Sequence, residues 1–531
     1  VATVELQQML EKHGYDDACI YGHALEGNYH FIISQAFNTQ EEVDKYKNLM
    51  LEVEKLVVDK YDGSLKAEHG TGRNMAPFVC KEWGEAAFEV MKRVKALFDP
   101  KGLLNPGVIF NDDPECYIKN FKPLPLANKH IDRCIECGFC EVNCLTCGFA
   151  LSSRQRIILT REITRLERNG EDPERLKKLI AQFDYYGNAT CAGDGLCSTS
   201  CPMKINTGEL IHDVRAAKLP KGSMGYGIGN VAANRFALIK GVLRPVLSAA
   251  SLAQSIVGEK GVETIGGALN KIGIPLWAPA MPKAYYTHKL NIMKSEKKVV
   301  YFPSCINQTM GVSKNSPIKD SLVDKMVEFL GKAGYEVIFP EGMQNMCCGT
   351  IWESKGMPDI ADRKSSELEE ALYKASEGGK YPVLCDQSPC LHRMRDVMTK
   401  VQLFEPVEFI YDYVVDKLEF SKTDEPIAIH VTCSTKRMGI DSKLVKLANM
   451  CSNNVLLPEE VGCCGFAGDK GFTFPEVNKY ALRKLKPQIE KAGIKRGFSN
   501  SRTCEIGLST NSGIPYQSIV YLVDECTVTK K

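Results

Sequence analysis

The alternation of hydrophobic and polar residues over positions 1–112 predicts a small unit of strands and helices. Short apolar runs at 18–21 and 30–33 flank a glycine-bearing turn, which indicates two strands. Hydrophobic residues then recur at helical spacing in two segments, which indicates two helices that each bury one face. The two faces comprise Val43, Tyr46, Met50, Val53 and Val57, and Trp83, Ala87, Val90, Met91, Val94 and Leu97. The second helix is expected to end near Asp99 and Pro100.

From residue 298 onward, the same order of strand, helix and cysteine occurs twice. Segments 299–305 and 427–433 correspond, as do the Cys-Cys-Gly triplets at 347–349 and 463–465. Short β-branched runs that alternate with helices indicate a parallel sheet in each half, and residues that follow such strands meet at the carboxyl edge of the sheet. The cysteines expected to converge are Cys305, Cys347, Cys348 and Cys390 in the first half, and Cys433, Cys463, Cys464 and Cys504 in the second.

These patterns divide the chain into five predicted segments of an α/β and α+β multidomain protein. They are an α+β domain at 1–112, a mostly helical cysteine-bearing module at 113–215, a helical linker at 216–297, and two α/β repeats at 298–420 and 421–531. Within the linker, residues 236–247 could form an amphipathic surface for a membrane or a partner, although packing on the protein itself is favoured. We find no run of about eighteen apolar residues, so no membrane-spanning helix is predicted.

The composition is ordinary for a soluble globular protein, with 44% hydrophobic and 25% charged residues among 531. The formal net charge of +2 argues against nucleic acid as the main partner. Twenty-two cysteines, many of them in CxxC and Cys-Cys-Gly groups, indicate metal ligation in a reducing compartment rather than disulfides. We expect a cytoplasmic protein, with or without peripheral contact to the inner face of the membrane, because no secretory signal is evident. A chain that begins at Val1 is expected to be a fragment or a processed subunit.

Residues 134–144 follow the C-x2-C-x2-C-x3-C spacing of ferredoxin-type [4Fe-4S] clusters. Three thiolates on one loop hold three corners of a cubane, and a distant cysteine that precedes a proline holds the fourth. One cluster is therefore assigned to Cys134, Cys137, Cys140 and Cys201, and three corners of a second cluster to Cys144, Cys191 and Cys197. Structural zinc is the alternative, but zinc needs four ligands per site and this spacing suits a cubane better.

The second cysteine run departs from this spacing at one position. Asp194 stands where a cysteine is expected three residues after Cys191. Three explanations remain open: Asp194 is an oxygen ligand, Cys147 takes its place, or one iron is labile.

Histidines cluster beside glycines near the N-terminus. His23 and His30 bracket a glycine-bearing turn, and Glu68 and His69 lie on a second glycine-rich segment. Two imidazoles and one carboxylate form a reasonable site for a divalent metal. A lone histidine is more often a core residue, but three of the nine histidines fall within 50 residues here.

These residues resemble the C-terminal domain of FAD-linked D-2-hydroxyacid dehydrogenases of the vanillyl-alcohol-oxidase type, and the run at 103–108 resembles the end of that domain. The repeats resemble the duplicated CCG domain of heterodisulfide-reductase-type and glycolate-oxidase-type iron–sulfur subunits. The whole chain is similar to large bacterial enzymes that fuse a flavoprotein, a ferredoxin module and a CCG module. Family members use the CCG cysteines for a further cluster or for thiol chemistry. Ser499 stands where the first repeat has Cys385, which disfavours a five-cysteine, non-cubane site.

The resemblance implies a role for each residue around the histidines. His23, His30 and Glu68 match the metal ligands, and His69 matches the catalytic base. The residues implied to contact flavin or substrate are Asn28, Asn105, Arg73 and Lys66, of which the two cations are more often solvated surface charges. Ile32 replaces an asparagine of some relatives, which leaves one substrate contact open.

The resemblance further implies FAD-dependent oxidation of a D-2-hydroxyacid, D-lactate or D-2-hydroxyglutarate, to the 2-oxoacid. Electrons would pass from flavin through two [4Fe-4S] clusters, and through any further cluster in the repeats, to a quinone or a redox protein. The metal would be Zn, Mn or Fe, and an oligomer is expected. The FAD-binding domain has no counterpart in this sequence and would come from the rest of the protein or from a partner chain. Competing interpretations are a non-catalytic electron-transfer subunit, a heterodisulfide-reductase-like thiol–disulfide reductase and a zinc-stabilised scaffold.

Overall fold

The computed structural model describes residues 1–37, 39–121, 124–270, 280–313, 316 and 318–530. The chain divides into two compact units, Val1–Leu124 and Pro125–Lys531. Helices, antiparallel strand pairs and parallel sheets occur along it, so the predicted α/β and α+β multidomain class is confirmed.

The described residues of the N-terminal unit form an antiparallel strand pair and four α-helices. The strands Cys19–His23 and Asn28–Ile32 coincide with the two predicted apolar runs to within a few residues. The helices are Ala2–Lys12, Gln40–Glu54, Val79–Trp83 and Glu85–Phe98. Leu10, Leu49 and Val53 are buried where the first two helices pack against the strands.

The last helix of this unit corrects one expectation. Its end after Phe98 agrees with the prediction, but none of its residues is buried. Val90, Val94 and Leu97 expose 57%, 51% and 77% of their surface. Periodicity therefore predicts the helix and its apolar face, whereas the described residues of this unit contain no element that covers that face.

The second unit contains two four-stranded parallel sheets with the same strand order. In each repeat the second strand lies at one edge, followed by the first, the third and the fourth. The strands are Lys298–Phe302, Glu336–Ile338, Val383–Cys385 and Leu403–Phe404 in the first repeat, and Ile427–Ile429, Val455–Leu456, Arg496–Ser499 and Tyr516–Ser518 in the second. The duplication that the cysteines predict is therefore present in the backbone.

Helices alternate with these strands, and the two repeats share one core. The helices are Leu322–Lys332, Thr350–Ser354, Pro358–Ala375, Ser388–Val397 and Pro406–Phe409 in the first repeat, and Cys433–Arg437, Asp441–Cys451, Lys470–Thr473, Pro475–Ala481, Leu485–Lys491, Arg502–Ser512 and Ile519–Glu525 in the second. Two further strand pairs are Pro282–Ala284 with Met310–Ser313 and Leu418–Phe420 with Thr527–Thr529. Val299 and Leu330 of the first repeat cluster with Ile427 and Phe498 of the second, and all four are fully buried.

The cysteine-bearing module that precedes the repeats is mostly helical. Its helices and those of the following segment are Ser153–Asn169, Pro173–Phe183, Thr207–Lys218 and Met224–Asn234. Short 3-10 turns at Phe139–Asn143 and Leu196–Ser198 carry cysteines of the two runs. Of the predicted helical linker, residues 271–279 lie outside the described residues.

The linker helix Phe236–Asn270 is interrupted at Gly258, where φ is 74°. Its first part, Phe236–Gly258, has a mean hydropathy of 1.4 and is long and apolar enough to cross a membrane. This corrects the expectation that no such segment exists, although length and composition do not by themselves make a span. Phe236 and Leu247 pack on the protein, as expected for this helix. The exposed hydrophobic residues are Leu238, Ile239, Val242, Leu243, Val246, Leu252, Ile256 and Val257.

Candidate metal and iron–sulfur centres

The first candidate centre lies on the strand pair of the N-terminal unit. His23 and Asn28 are opposite each other in the pair, and His30 follows on the second strand. Glu68 reaches both strands, since its carboxylate oxygens lie 3.3 Å from His30 Nε2 and 3.7 Å from His23 Nε2. Asn28 Nδ2 donates to Glu68 Oε2 at 2.5 Å, and this hydrogen bond is the main cause that lowers the pKa of Glu68. An ionised carboxylate is the form that binds a metal.

Gly22 allows the two strands to lie close together beside the residues that contact Glu68. Gly22 precedes His23 and has a φ of 149°, and a Cβ at this position would lie 2.1 Å from the carbonyl oxygen of Asn28. Real side chains cannot approach a backbone oxygen so closely. A substitution at Gly22 would therefore displace Asn28 and the hydrogen bond that orients Glu68.

His69 belongs to the same group. Its Nε2 lies 3.4 Å from Glu68 Oε1, and its ring packs edge-on against that of His30 with 5.2 Å between centroids. The ligand atoms of His30, Glu68 and His69 all lie within 4.8 Å of one another, a spacing compatible with one divalent ion. His69, the predicted base, thus lies as close to the carboxylate of Glu68 as His23 and His30, the predicted ligands, do. The group is open to solvent, because His23 and His69 expose 69% and 77% of their side chains.

The other predicted contacts of this centre have partners of their own. Lys66 Nζ lies 3.5 Å from Glu82 Oε1, and Arg73 Nη2 donates to the carbonyl oxygen of Pro106 at 3.1 Å. Asn105 is exposed in a left-handed turn with a φ of 44°. Roles for these three residues in substrate or flavin binding stay predictions.

The first iron–sulfur site, site 1, is a cavity lined by the four cysteines predicted as its ligands. These are Cys134, Cys137, Cys140 and Cys201. Arg161 is buried and orders the loop that carries the first three of these cysteines, because it pairs with Glu136 at 2.8 Å and donates to the carbonyl oxygen of Cys134 at 3.0 Å. The backbone N–H of Glu136 donates to Cys134 Sγ at 3.3 Å. Four thiols around one cavity, with a backbone N–H directed at a sulfur, fit a cubane cluster.

The second iron–sulfur site, site 2, is a cavity lined by three of the predicted cysteines and one aspartate. These residues are Cys144, Cys191, Cys197 and Asp194. Cys147 is not among the described residues that line this cavity; it is exposed, and its carbonyl oxygen accepts a hydrogen bond from Tyr480 at 2.9 Å. The sequence left open whether Asp194 or Cys147 joins the three cysteines of the second cluster. In the structure, Asp194 lines the cavity with them.

Three cations lie beside site 2, and sequence reasoning missed all of them. Arg156 is 1% exposed and directs Nη1 at Cys144 Sγ from 3.5 Å. Arg215 Nη2 and Lys470 Nζ donate to the carbonyl oxygen of Cys191 at 3.0 and 3.1 Å. Burial, together with the nearby Arg215, lowers the pKa of Lys470 to about 7. Lys470 is nearly 280 residues from Cys191 in sequence, so only tertiary packing reveals this pairing.

Each repeat brings its four predicted cysteines together. In the first quartet (Cys305, Cys347, Cys348 and Cys390), neighbouring thiols contact each other in that order. The second quartet (Cys433, Cys463, Cys464 and Cys504) shows the same order of contacts, and its last pair has an Sγ–Sγ distance of 2.9 Å. The additional thiol of Cys385 is fully buried at the end of a strand of the first repeat.

The two quartets have different charged neighbours. Lys240, on the linker helix, lies close enough to Cys305 and Cys347 for their charges to interact, and its Nζ donates to Gln308 at 2.7 Å. Burial lowers the pKa of Lys240 to about 8. At the second quartet, the carboxyl group of Asp194 hydrogen-bonds with the thiol of Cys463, and burial raises the pKa of Asp194. Asp194 therefore lies between site 2 and the second quartet.

Three protein families match separate parts of the chain. The C-terminal domain of FAD linked oxidases matches residues 2–109, and a 4Fe-4S dicluster domain matches residues 130–205. A cysteine-rich domain matches twice, at residues 299–395 and 427–509. The predicted resemblance is confirmed at the level of these domains, whereas the boundaries at 112, 215, 297 and 420 stay predictions.

The similar proteins are named as FAD-linked oxidoreductases and dehydrogenases. Glycolate oxidase subunit GlcD of Bacillus subtilis is 30% identical over 95 residues, which are 18% of this chain and 20% of that protein. D-2-hydroxyglutarate dehydrogenase of Stutzerimonas stutzeri is 36% identical over 110 residues, 20% of this chain and 23% of that protein. The enzyme of the same name from Pantoea ananatis is 27% identical over 255 residues, 38% of this chain and 25% of that protein. The chain thus spans about a quarter or less of the curated relatives it matches.

Proposed function

Since the chain joins a FAD-linked oxidase C-terminal domain to a 4Fe-4S dicluster domain and two cysteine-rich domains, we propose that it takes part in FAD-dependent oxidation of a D-2-hydroxyacid. D-lactate and D-2-hydroxyglutarate are the proposed substrates, because relatives of the N-terminal unit are named for them. The observation that carries the proposal is the group of His23, His30, Glu68 and His69, in a chain that also has one cavity lined by four cysteines and a second lined by three cysteines and Asp194.

The residues around Glu68 suit a hydroxyacid. We assign His23, His30 and Glu68 to a divalent ion (Zn, Mn or Fe), which when bound supplies Lewis-acid polarisation of the substrate hydroxyl. His69 accepts the hydroxyl proton at Nε2, the atom that lies 3.4 Å from Glu68 Oε1. Bound FAD supplies the two-electron acceptor, and Asn28 orients the carboxylate of Glu68 toward the imidazoles. The cysteines of sites 1 and 2 would hold clusters that accept these electrons singly.

An uncovered apolar surface supports a separate flavin-binding part. Val90, Val94, Leu97, Leu103 and Leu104 are all more than half exposed on the N-terminal unit. Several exposed hydrophobic residues on one helix and the segment that follows it are typical of an interface. We propose that the FAD-binding domain, in the rest of the protein or in a partner chain, covers it.

Removal of single side chains tests the assignment at Glu68. His30→Ala and Glu68→Ala are expected to lose the divalent metal from the purified chain, whereas His69→Ala is expected to keep it and to abolish flavin reduction by the hydroxyacid in the complete enzyme. The matched control is His13→Ala, which removes a histidine of the same unit whose partner is Glu52 at 2.7 Å. Loss of metal from His69→Ala would make His69 a ligand, and full activity of that variant would remove its role as base. In both cases, the iron and sulfide content of the variant shows separately whether it has folded.

The final electron acceptor proposed is a quinone, reached by docking of the linker helix on the inner face of the cell membrane. The face of this helix that carries Leu238, Val242, Val246, Leu252 and Ile256 is exposed. The surrounding segment 216–297 carries 11 Lys or Arg and 3 Asp or Glu, which complements an anionic lipid surface. The alternative acceptor is a soluble redox protein.

Vesicle binding tests this docking surface. The purified chain is expected to sediment with phosphatidylglycerol vesicles and not with phosphatidylcholine vesicles, and Val242→Asp combined with Val246→Asp should abolish sedimentation. Leu457→Asp changes an exposed hydrophobic residue elsewhere in the same unit and should have no effect. Equal binding of the parent and the double variant, or dimerisation that the double variant abolishes, would refute membrane docking.

A further inference from the structure

The two cysteine runs have equal spacing but different residues at one position. In the first run, Cys137, Cys140 and Cys144 follow Cys134 by three, six and ten residues. In the second run, Asp194, Cys197 and Cys201 follow Cys191 by the same distances. Asp194 therefore takes the place that Cys137 holds in the first run, and any difference between sites 1 and 2 in their protein ligands lies there.

The same difference between cysteine and aspartate is present in the two cavities. Cys137 lines site 1, and Asp194 lines site 2. The loop around Asp194 is shaped by Gly193 and Gly195, which have φ values of 63° and 72°. The backbone N–H of Leu196 donates to Asp194 Oδ1 at 2.9 Å and holds the side chain in the cavity.

Asp194 hydrogen-bonds with the thiol of Cys463 and lies near Arg156 and Arg437. Among the described residues it forms no ion pair within 4.0 Å, and the cations closest to the cluster ligands are directed elsewhere. Arg156 is directed at Cys144 Sγ, while Arg215 and Lys470 are directed at the carbonyl oxygen of Cys191. A buried carboxylate that forms no ion pair is costly unless it binds a metal or a proton. The three neighbouring thiols are the ligands that an iron–sulfur cluster requires, so a metal is the simplest partner for the carboxylate.

We propose that Asp194 supplies the fourth protein ligand of site 2, as an oxygen ligand to one iron that can be removed and replaced. Carboxylate oxygen is a harder and weaker ligand than thiolate for the iron of a cluster. Site 1, with four thiolates, keeps all its irons under conditions in which site 2 loses one. This inference requires two clusters in the dicluster domain, but it does not depend on hydroxyacid oxidation.

The expected conversion is balanced in iron, charge and electrons. With a one-electron oxidant such as ferricyanide, [4Fe-4S]2+ at site 2 gives [3Fe-4S]+, one Fe2+ and one electron, which reduces ferricyanide to ferrocyanide. The sulfides and the three thiolates stay in place, and the carboxylate of Asp194 is freed from iron. Addition of Fe2+ and a reductant reverses the conversion.

The test uses the full chain purified without oxygen, and its readouts are iron release and the EPR signal of a three-iron cluster. The parent is expected to release about one iron per chain on ferricyanide treatment and to gain this signal. Asp194→Cys should do neither, because it restores four thiolates at site 2. Cys137→Asp places the same ligand set in site 1 and should release about twice as much iron as the parent. Cys147→Ser should behave as the parent does.

Three results would overturn the proposal. They are retention of all iron by the parent, conversion of Asp194→Cys to the same extent as the parent, and loss of the site 2 cluster from Cys147→Ser. If Asp194→Cys does not fold, the parent alone decides the question. Isotopically labelled iron added back to the three-iron form should enter a single site with oxygen coordination in Mössbauer spectra, and a spectrum with sulfur coordination at every iron would refute an aspartate ligand.

Discussion

The two cysteine-rich repeats share strand order and thiol positions, yet their quartets adjoin different ionisable side chains, a lysine and an aspartate. Lys240 lies near Cys305 and Cys347 of the first quartet, whereas Asp194 contacts Cys463 of the second. Neither neighbour belongs to a repeat, because Lys240 comes from the linker helix and Asp194 from the dicluster module. A duplicated backbone therefore does not imply duplicated chemistry. The two repeats differ in the side chains that the linker helix and the dicluster module place beside their cysteines.

The difference in charge suggests different tasks for the two quartets. A cation favours the negative charge of thiolates and of a cluster, so the first quartet is suited to hold a further iron–sulfur cluster. A carboxyl group disfavours thiolate at Cys463. The second quartet adjoins site 2, where a disulfide formed between two of its cysteines is suited to accept two electrons and two protons and become two thiols. We predict that the halves respond differently to equivalent substitutions.

The largest effect is expected from removal of the paired cysteines. Cys347→Ser with Cys348→Ser should lose the iron and sulfide of the proposed further cluster, whereas Cys463→Ser with Cys464→Ser should keep the iron and sulfide content of the parent. The measurement is iron and acid-labile sulfide per chain in material purified without oxygen. Equal losses in the two variants would show that the quartets are equivalent, and no loss in either would show that the repeats hold no cluster.

The next effect concerns stability and pH, at the residue that caps the helix after the fourth strand of each repeat. Glu405 caps a helix in the first repeat and is buried, where it accepts hydrogen bonds from Val407 and Asn500; Ser518 caps the equivalent helix in the second. Burial raises the pKa of Glu405 from 4.5 to about 8. Between these values the folded state binds the extra proton, so this group lowers the free energy of unfolding as pH rises, by up to about 1.4 kcal/mol per pH unit.

Glu405→Gln removes this titration and should flatten the dependence of stability on pH from about 4.5 to about 8, as measured by denaturant unfolding. Ser518→Ala is the control and should lower stability by about 1 kcal/mol at every pH in this window. An unchanged pH dependence in Glu405→Gln would mean that Glu405 is ionised in the folded protein.

A smaller effect is expected at the glycine of each Cys-Cys-Gly triplet. A Cβ at Gly349, where φ is 93°, would lie 2.5 Å from the carbonyl oxygen of Ala361, whereas one at Gly465 would lie 3.0 Å from Ala481 Cβ. Gly349→Ala should therefore lower the free energy of unfolding by about 3 kcal/mol, and Gly465→Ala by about 1–2 kcal/mol. Thermal or denaturant unfolding measures both. The reverse order would show that the first repeat adjusts its backbone more readily than the second.

The smallest effect is expected from removal of the cation beside the first quartet. Lys240→Met should lower the reduction potential of a cluster held there, on the order of tens of millivolts, because the reduced form carries more negative charge. Lys484→Met, which removes a surface cation of the second repeat, is the control. A potentiometric titration followed by EPR measures the shift. Equal potentials in the parent and Lys240→Met would show that Lys240 does not act on the first quartet.

Local sequence patterns predicted much of the fold. The strand pair around His23 and the helix that ends after Phe98 follow from hydrophobic spacing. The repeat of cysteines in register predicted two parallel sheets with ligands after their strands. The pattern did not predict that Val90 is exposed, because periodicity indicates an apolar face and does not identify the surface that covers it. It also failed to identify Phe236–Gly258 as apolar enough to cross a membrane.

The sequence by itself determined which side chains are available as ligands, because thiols, imidazoles and carboxylates recur at intervals that one loop or one strand end can bring together. It also determined that Asp194 replaces a cysteine. Only the tertiary structure decided that Asp194 rather than Cys147 lines site 2, and that Lys470 caps the carbonyl oxygen of Cys191. The physical reason is distance along the chain: electrostatic contacts depend on which elements pack together, and no local spacing encodes a contact between residues hundreds of positions apart.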